Sequence, residues 1–218
     1  MNYTTILMDL DGTLTDPGLG ITNAVMYALG KAGITPPERT ALYKFIGPPL
    51  MDSFRNFYGM SDADAAQATA WFREYYTSGG NFENTPYSGI GDALQTLRDA
   101  GCRLVVATSK PQAQAELILQ HFGLAQHFDA IAGASLDESR SKKAQVIAYA
   151  LDAFHIDPAT ALMVGDREHD VLGAKECGLP CVGVLYGYGD EPELTAAGAL
   201  ALCPAVSDLP RIILEELE

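Results

Sequence analysis

Apolar positions fall into two textures along the chain. After residue 88, short apolar runs alternate with stretches of helical periodicity. The runs are Arg103-Leu104-Val105-Val106-Ala107, Phe128 to Ala132, Ala161-Leu162-Met163-Val164-Gly165, Cys181-Val182-Gly183-Val184 and Ala199 to Leu202. Near-continuous apolar runs of this length, separated by helices, predict a parallel sheet covered on both faces. The helices are predicted over 89–100, from Pro111 to His121, over 141–153, from just after Asp166 through Cys177, and from Ser207 to Leu217. A first strand is predicted over 3–9, with Ile6-Leu7-Met8 at its centre.

Between Asp16 and Tyr87 no strand-like run occurs. Ile21, Val25, Leu29 and Ala32 recur at intervals of four and three, which predicts an amphipathic helix over 20–32 ending near Gly33. Pro36-Pro37-Glu38 opens a second, short helix carrying Leu42 and Phe45, and Gly47-Pro48-Pro49 breaks it. Leu50 to Tyr58 reads as a third helix. Ser61-Asp62 caps a fourth that runs through Trp71 to Tyr76, and Asn81 to Pro86 is a polar connection. The chain thus reads as an α/β core of residues 1–15 and 88–218, interrupted by an all-helical insert over 16–87. It carries no internal repeat and no low-complexity tract.

Composition narrows the partners. At 218 residues, 48% hydrophobic and 19% charged, the chain is globular and long enough for a sizeable core. A net charge of −14 with no basic stripe argues against a nucleic-acid polymer or an anionic membrane. The same charge would repel a small anionic substrate, so a phosphate site needs local compensation, which a divalent cation supplies. Cys102, Cys177, Cys181 and Cys203 lie in apolar stretches without a Cys-x-x-Cys pair and read as buried free thiols of a reducing cytosol. There is no signal-peptide pattern and no apolar run near the ~20 residues of a membrane span. The expectation is a cytoplasmic protein, monomeric or homodimeric.

The first apolar run ends in Asp9 and Asp11. A strand's period of two points both carboxylates the same way at its carboxyl end. Two crowded carboxylates need a cation or hydrogen-bond donors, and the arrangement signals metal binding, acid–base work or both. Other runs lead to groups suited to phosphate: Thr108-Ser109-Lys110, the pair Lys142-Lys143 at a helix start, and Gly165-Asp166 with Asp170 one turn beyond. Each has a plainer alternative, such as a helix cap or a solvated charge. Their convergence on the carboxyl edge of one parallel sheet, where such folds bind ligands, favours the functional reading.

Asp9-Leu10-Asp11-Gly12-Thr13-Leu14-Thr15, the apolar run into Thr108, the downstream lysine and Gly165-Asp166-Arg167-Glu168-His169-Asp170, in that order, resemble the haloacid dehalogenase superfamily. More narrowly, they resemble its phosphatases of the phosphoglycolate phosphatase type, over essentially the whole chain. The resemblance implies a Rossmann-like parallel-sheet core with an inserted helical cap domain. It also implies Mg²⁺-dependent hydrolysis of a small phosphorylated metabolite through an aspartyl-phosphate. Asp9 would be the nucleophile, and Asp11 the general acid and then base. Mg²⁺ would be held by an Asp9 oxygen, the Asp11 carbonyl and Asp166, with Asp170 a ligand or the holder of a metal-bound water.

Thr108 and Lys143 would contact the phosphoryl oxygens. Lys142-Lys143-Ala144 stands where the family often shows Lys-Pro, and Lys143 is favoured because Val146 and Ile147 then phase with the following helix. Gly12, Thr13 and Ser109, with Lys44 and Arg55 in the cap, are the substrate-binding candidates. Ser109 stands where related phosphatases commonly have Asn. Asp11 argues against a dehalogenase, which needs no acid for its leaving group. The absence of a histidine before His121 argues against a sugar-phosphate mutase. A nucleoside 5′-monophosphatase and a non-catalytic binding protein of the same fold stay open.

Overall fold

A computed structural model describes residues 3–135 and 139–216. The elements begin with β1 (Thr5–Met8), β2 (Thr15–Asp16), α1 (Gly18–Lys31), α2 (Leu50–Tyr58), α3 (Asp62–Thr77) and β3 (Thr85–Pro86). There follow α4 (Ile90–Asp99), β4 (Arg103–Pro111), α5 (Gln112–His121), β5 (Ala130–Ala134) and α6 (Lys143–Ala153). The chain closes with β6 (Ala161–Gly165), α7 (Glu168–Glu176), β7 (Cys181–Val184), α8 (Glu191–Ala197), β8 (Ala201–Cys203) and α9 (Leu209–Arg211).

Residues divide into two compact units, one of 1–15 and 86–218 and one of 16–85. In the first, six parallel strands lie in the order β5-β4-β1-β6-β7-β8. Alternation along the strands splits the core in two. Ile6, Met8, Leu104, Val106, Leu162 and Val164 join Ile90, Leu94 and Leu97 of α4, Ile118 of α5 and Leu209 of α9. Leu7, Val105, Ala107, Met163 and Cys181 join Val146 and Ile147 of α6, Val171 of α7 and Leu194 of α8. Burying both faces is why these strands read as continuous apolar runs rather than alternating ones. From β1 the chain builds outward through β4 to β5, then returns to lay β6 on the other side of β1. The order therefore reverses between β1 and β6, the place where open α/β sheets bind ligands.

The second unit is helical. Leu29, Leu42, Phe45, Phe54 and Phe72 are among its buried apolar side chains, with Phe45 edge-on to Phe54 and Phe57 at centroid distances of 5.1 and 5.3 Å.

Several elements depart from the periodicity reading. Residues 39–45 wind as a 3-10 helix of 7 residues, longer than such pieces usually run. β4 runs on to Pro111 instead of stopping at Ala107. The closing helix is only α9 followed by a π turn, Ile212–Glu216, which buries the adjacent Ile212 and Ile213 together; its predicted end, Leu217, lies outside the described residues. α8 was not predicted at all. Its signal was present in Asp190, whose carboxylate accepts from Glu193 N at 2.8 Å, and in Pro192 within the first turn.

Candidate active site

β1 is hydrogen-bonded on both sides, Met8 facing Val106 of β4 and Val164 of β6. Asp9 continues that register, its N–H donating to Val164 O at 3.0 Å. The chain then folds into a tight turn. Leu10 O accepts from Leu14 N at 2.9 Å and Thr15 N at 3.1 Å, and Gly12 N donates to Thr15 O at 2.8 Å. Gly12 has φ 80°, and a Cβ there would lie 2.1 Å from Asp166 Oδ2, so only glycine fits. Thr13 is fully buried, and its carbonyl accepts from Tyr186 OH at 3.2 Å.

Two buried lysines meet the carboxylates. Lys143 Nζ lies 2.8 Å from Asp9 Oδ1 and 2.8 Å from Asp170 Oδ1, and donates to Ala107 O at 3.0 Å. Its three donors thus face three acceptors. Lys142 is exposed at the N-terminus of α6. Burial works against the Lys143 ammonium, yet Asp170 and Asp9 outweigh it and hold the group above the usual lysine range.

The second cation is Lys110, whose Nζ lies 2.8 Å from Asp11 Oδ2. The sequence places Lys110 among the phosphate-suited groups after the apolar run but assigns it no role of its own, and it ends the run at Ala107. Instead the strand bulges: Ala107 faces Ala132 and Pro111 faces Ala134, four residues against two. The bulge holds Thr108, buried, and Ser109, half-buried, and Thr108 Oγ1 accepts from Lys110 N at 3.2 Å.

Asp166 leaves β6 beside Asp9, and Asp170 sits in the first turn of α7. Oxygens of Asp9, Asp166 and Asp170, all three buried, lie within 4.8 Å of one another. Asp170 Oδ2 accepts from Arg167 N at 3.1 Å and Asp166 Oδ2 from Tyr188 N at 2.8 Å. Asp166 Oδ1 and Asp11 Oδ1 are buried without a hydrogen-bond partner among the described residues. Burial pushes the Asp166 carboxyl well above its ordinary value, and the Asp170 and Asp9 charges add to this. Burial also raises Asp170 against the pull of Lys143, and Asp11 against that of Lys110.

Four carboxylates against two ammoniums leave a formal excess of two negative charges, which one divalent cation would neutralise. Hard oxygen donors, the orphaned Asp166 Oδ1 among them, fit such an ion. Asp9, Asp166 and Asp170 are the residues that could hold it. The Asp11 carboxylate is turned instead to Lys110.

The chain matches the haloacid dehalogenase-like hydrolase family over residues 6–184. It belongs to that family. A 5′-nucleotidase of Pseudomonas aeruginosa is 42% identical over 98% of this chain and 96% of its own length. The tyrosine-protein kinase PtkA of Mycobacterium tuberculosis is 44% identical over 84% of this chain, which spans 62% of the kinase. A crystal structure of a predicted phosphatase from Clostridium acetobutylicum superposes with a TM-score of 0.95 at 46% identity, covering 98% of this chain and 99% of that one. Within the haloacid dehalogenase-like hydrolases, the chain is a phosphoric monoester hydrolase with a Rossmann-like α/β core. Phosphatases of this family use a divalent metal, in keeping with the buried acidic group.

The remaining candidates, Lys44 and Arg55, lie in the helical unit. Lys44 Nζ stands 4.3 Å from the Phe57 ring centroid. Arg55 is held by Asp52 at 2.5 Å and Asp62 at 2.7 Å. Among the described residues no helix is long and apolar enough to cross a membrane.

Proposed function

We propose that this protein is a Mg²⁺-dependent phosphatase that hydrolyses small phosphomonoesters through an aspartyl-phosphate on Asp9. The observation that carries the reading is the meeting of buried Asp9, Asp166 and Asp170 oxygens within 4.8 Å, with Lys143 between Asp9 and Asp170. An Asp9 oxygen attacks phosphorus, and the bond to the leaving alkoxide breaks as Asp11 gives that oxygen a proton. Asp11, now ionised, takes a proton from the water that attacks the phosphoaspartate, which releases inorganic phosphate and restores Asp9. A carboxyl pushed up by burial suits a group that must begin protonated.

The Thr108 hydroxyl and the Lys143 ammonium, the latter held by Asp9, Asp170 and Ala107 O before substrate arrives, are the groups we assign to the charge spread over the phosphoryl oxygens. Asp9, Asp166 and Asp170, with the Asp11 carbonyl, would hold Mg²⁺, which supplies Lewis-acid charge at a phosphoryl oxygen. Gly12, Thr13 and Ser109 frame the phosphate. We assign substrate choice to the helical unit as a cap, with Lys44 and Arg55 as its test positions.

Nucleoside 5′-monophosphates are the substrate class we place first, on the similarity to the Pseudomonas 5′-nucleotidase over both full lengths. 2-Phosphoglycolate comes second, on the resemblance in sequence. The −14 net charge favours a small metabolite over a polymer, and four free cysteines suit a cytoplasmic enzyme. The test is phosphate release from nucleoside monophosphates, 2-phosphoglycolate and p-nitrophenyl phosphate, with Mg²⁺ and with excess EDTA. Release that requires Mg²⁺ is expected. Release undiminished in EDTA, or transfer from ATP to protein tyrosine with no hydrolysis, would overturn the reading.

A further inference from the structure

We infer that the loop Tyr186-Gly187-Tyr188-Gly189, after β7, is a positioning clamp that sets the cation affinity of Asp166. The loop touches Asp166 at three places. Tyr188 N donates to Asp166 Oδ2 at 2.8 Å. A Cβ at Gly187 would lie 2.4 Å from Asp166 Cβ and 2.4 Å from Gly12 O, and one at Gly189 would lie 2.0 Å from Asp166 O. Both glycines therefore sit against backbone that cannot swing aside as a flexible side chain would. The same loop reaches the nucleophile turn, because Tyr186 OH donates to Thr13 O at 3.2 Å. Tyr186 is itself fixed edge-on to Tyr87, at a centroid distance of 5.0 Å.

The consequence is a division of labour within one carboxylate. The backbone N–H of Tyr188 occupies Oδ2 and so fixes the rotation of the group. Oδ1 is left buried with no hydrogen-bond partner among the described residues. An oxygen desolvated and aimed in advance binds a cation without the cost of reorienting, which is how outer partners of a ligand tune affinity. None of the four loop residues carries a carboxylate, imidazole or thiol side chain. They act through Asp166 and through the Gly12-Thr13 backbone.

This inference rests on the metal role given to Asp166 under the proposed function, so the test separates the two. Mn²⁺ binding to the full chain is titrated by electron paramagnetic resonance for wild type, Asp166→Asn, Gly187→Ala and Tyr186→Phe, with thermal melting to confirm folding. Gly187→Ala should weaken binding by about tenfold or more, the usual effect of disturbing an outer partner. Tyr186→Phe, the variant safest for folding, should weaken it by about fivefold, the worth of one hydrogen bond.

If wild type fails to bind Mn²⁺, or Asp166→Asn binds as tightly as wild type, the metal reading falls. If Asp166→Asn loses binding while folded Tyr186→Phe and Gly187→Ala bind as wild type, the clamp alone is overturned. Should Gly187→Ala not fold, Tyr186→Phe decides. A purely structural role would lower melting temperature and leave the affinity of the folded protein unchanged.

Discussion

Lys143 stands between two buried carboxylates, and truncating it would leave Asp9 and Asp170 facing one another without that ammonium. Lys143→Ala is therefore expected to cut kcat by about 10²–10³-fold, the scale of losing one preorganised donor at the reacting group. Exposed Lys142→Ala should change it by less than about twofold, as for a surface site far from such features. Steady-state kinetics on both variants checks this, and equal losses would contradict it. That Lys143 rather than Lys142 is buried against the carboxylates was legible in the sequence, because helical phase puts Lys143 on the same buried side as Val146 and Ile147. Asp9 and Asp166 were legible for a similar reason, since a strand's end fixes where the next side chain points. Asp11, by contrast, lies in the turn beyond β1, and its carboxylate meets Lys110 instead of sharing the direction of Asp9. Lys110 was not legible in this way. Its approach to Asp11 depends on the β4 bulge between Ala107 and Pro111, and no alternation of apolar residues encodes a bulge.

At the scale of elements, the alternating runs encoded the sheet and its two buried faces, because each strand is apolar on both sides. Short, polar elements escaped that logic. α8 offers few apolar positions, Leu194 and Ala197 being its buried ones, so capping rather than periodicity announces it. Yet α8 bears on the site. Asp190 caps it, and Glu193 Oε1 accepts from Glu168 N at 2.8 Å and Arg167 Nε at 2.8 Å. Those donors stand at the start of α7, the helix that carries Asp170. Asp190→Ala should destabilise the fold by about 0.5–2 kcal/mol, whereas Asp190→Asn should retain most of that stability. Urea unfolding of both variants measures the difference, and an Asp190→Ala protein as stable as wild type would rule out the cap. The Tyr186–Gly189 loop was likewise illegible, since its contacts with Asp166 span some twenty residues with no local pattern.

For the whole molecule, the acidic cluster ties stability to cation and pH. Asp166 and Asp170 hold protons more tightly folded than unfolded, both carboxyls being raised above the ordinary 3.8. Their contribution to the stability of the cation-free protein is full below that value and is lost as pH rises through the higher folded values. A bound divalent cation offsets this loss, so Mg²⁺ should raise the melting temperature over EDTA more at pH 8 than at pH 5. At a Mg²⁺ concentration about a hundredfold above its dissociation constant, the gain is about 2.7 kcal/mol. Thermal melts at the two pH values with Mg²⁺ or EDTA measure it, and a cation effect that is absent or larger at pH 5 would contradict the account. The most direct test of the chemistry is mass spectrometry of the peptide bearing Asp9, quenched in acid during turnover with Mg²⁺ by wild type and by Asp11→Asn. With p-nitrophenyl phosphate, whose leaving group needs no acid, the account predicts one added phosphoryl group on Asp9, more abundant in Asp11→Asn because water attack has lost its base. Turnover with Asp9 unmodified in both proteins, or a phosphoryl group on another residue, would contradict it.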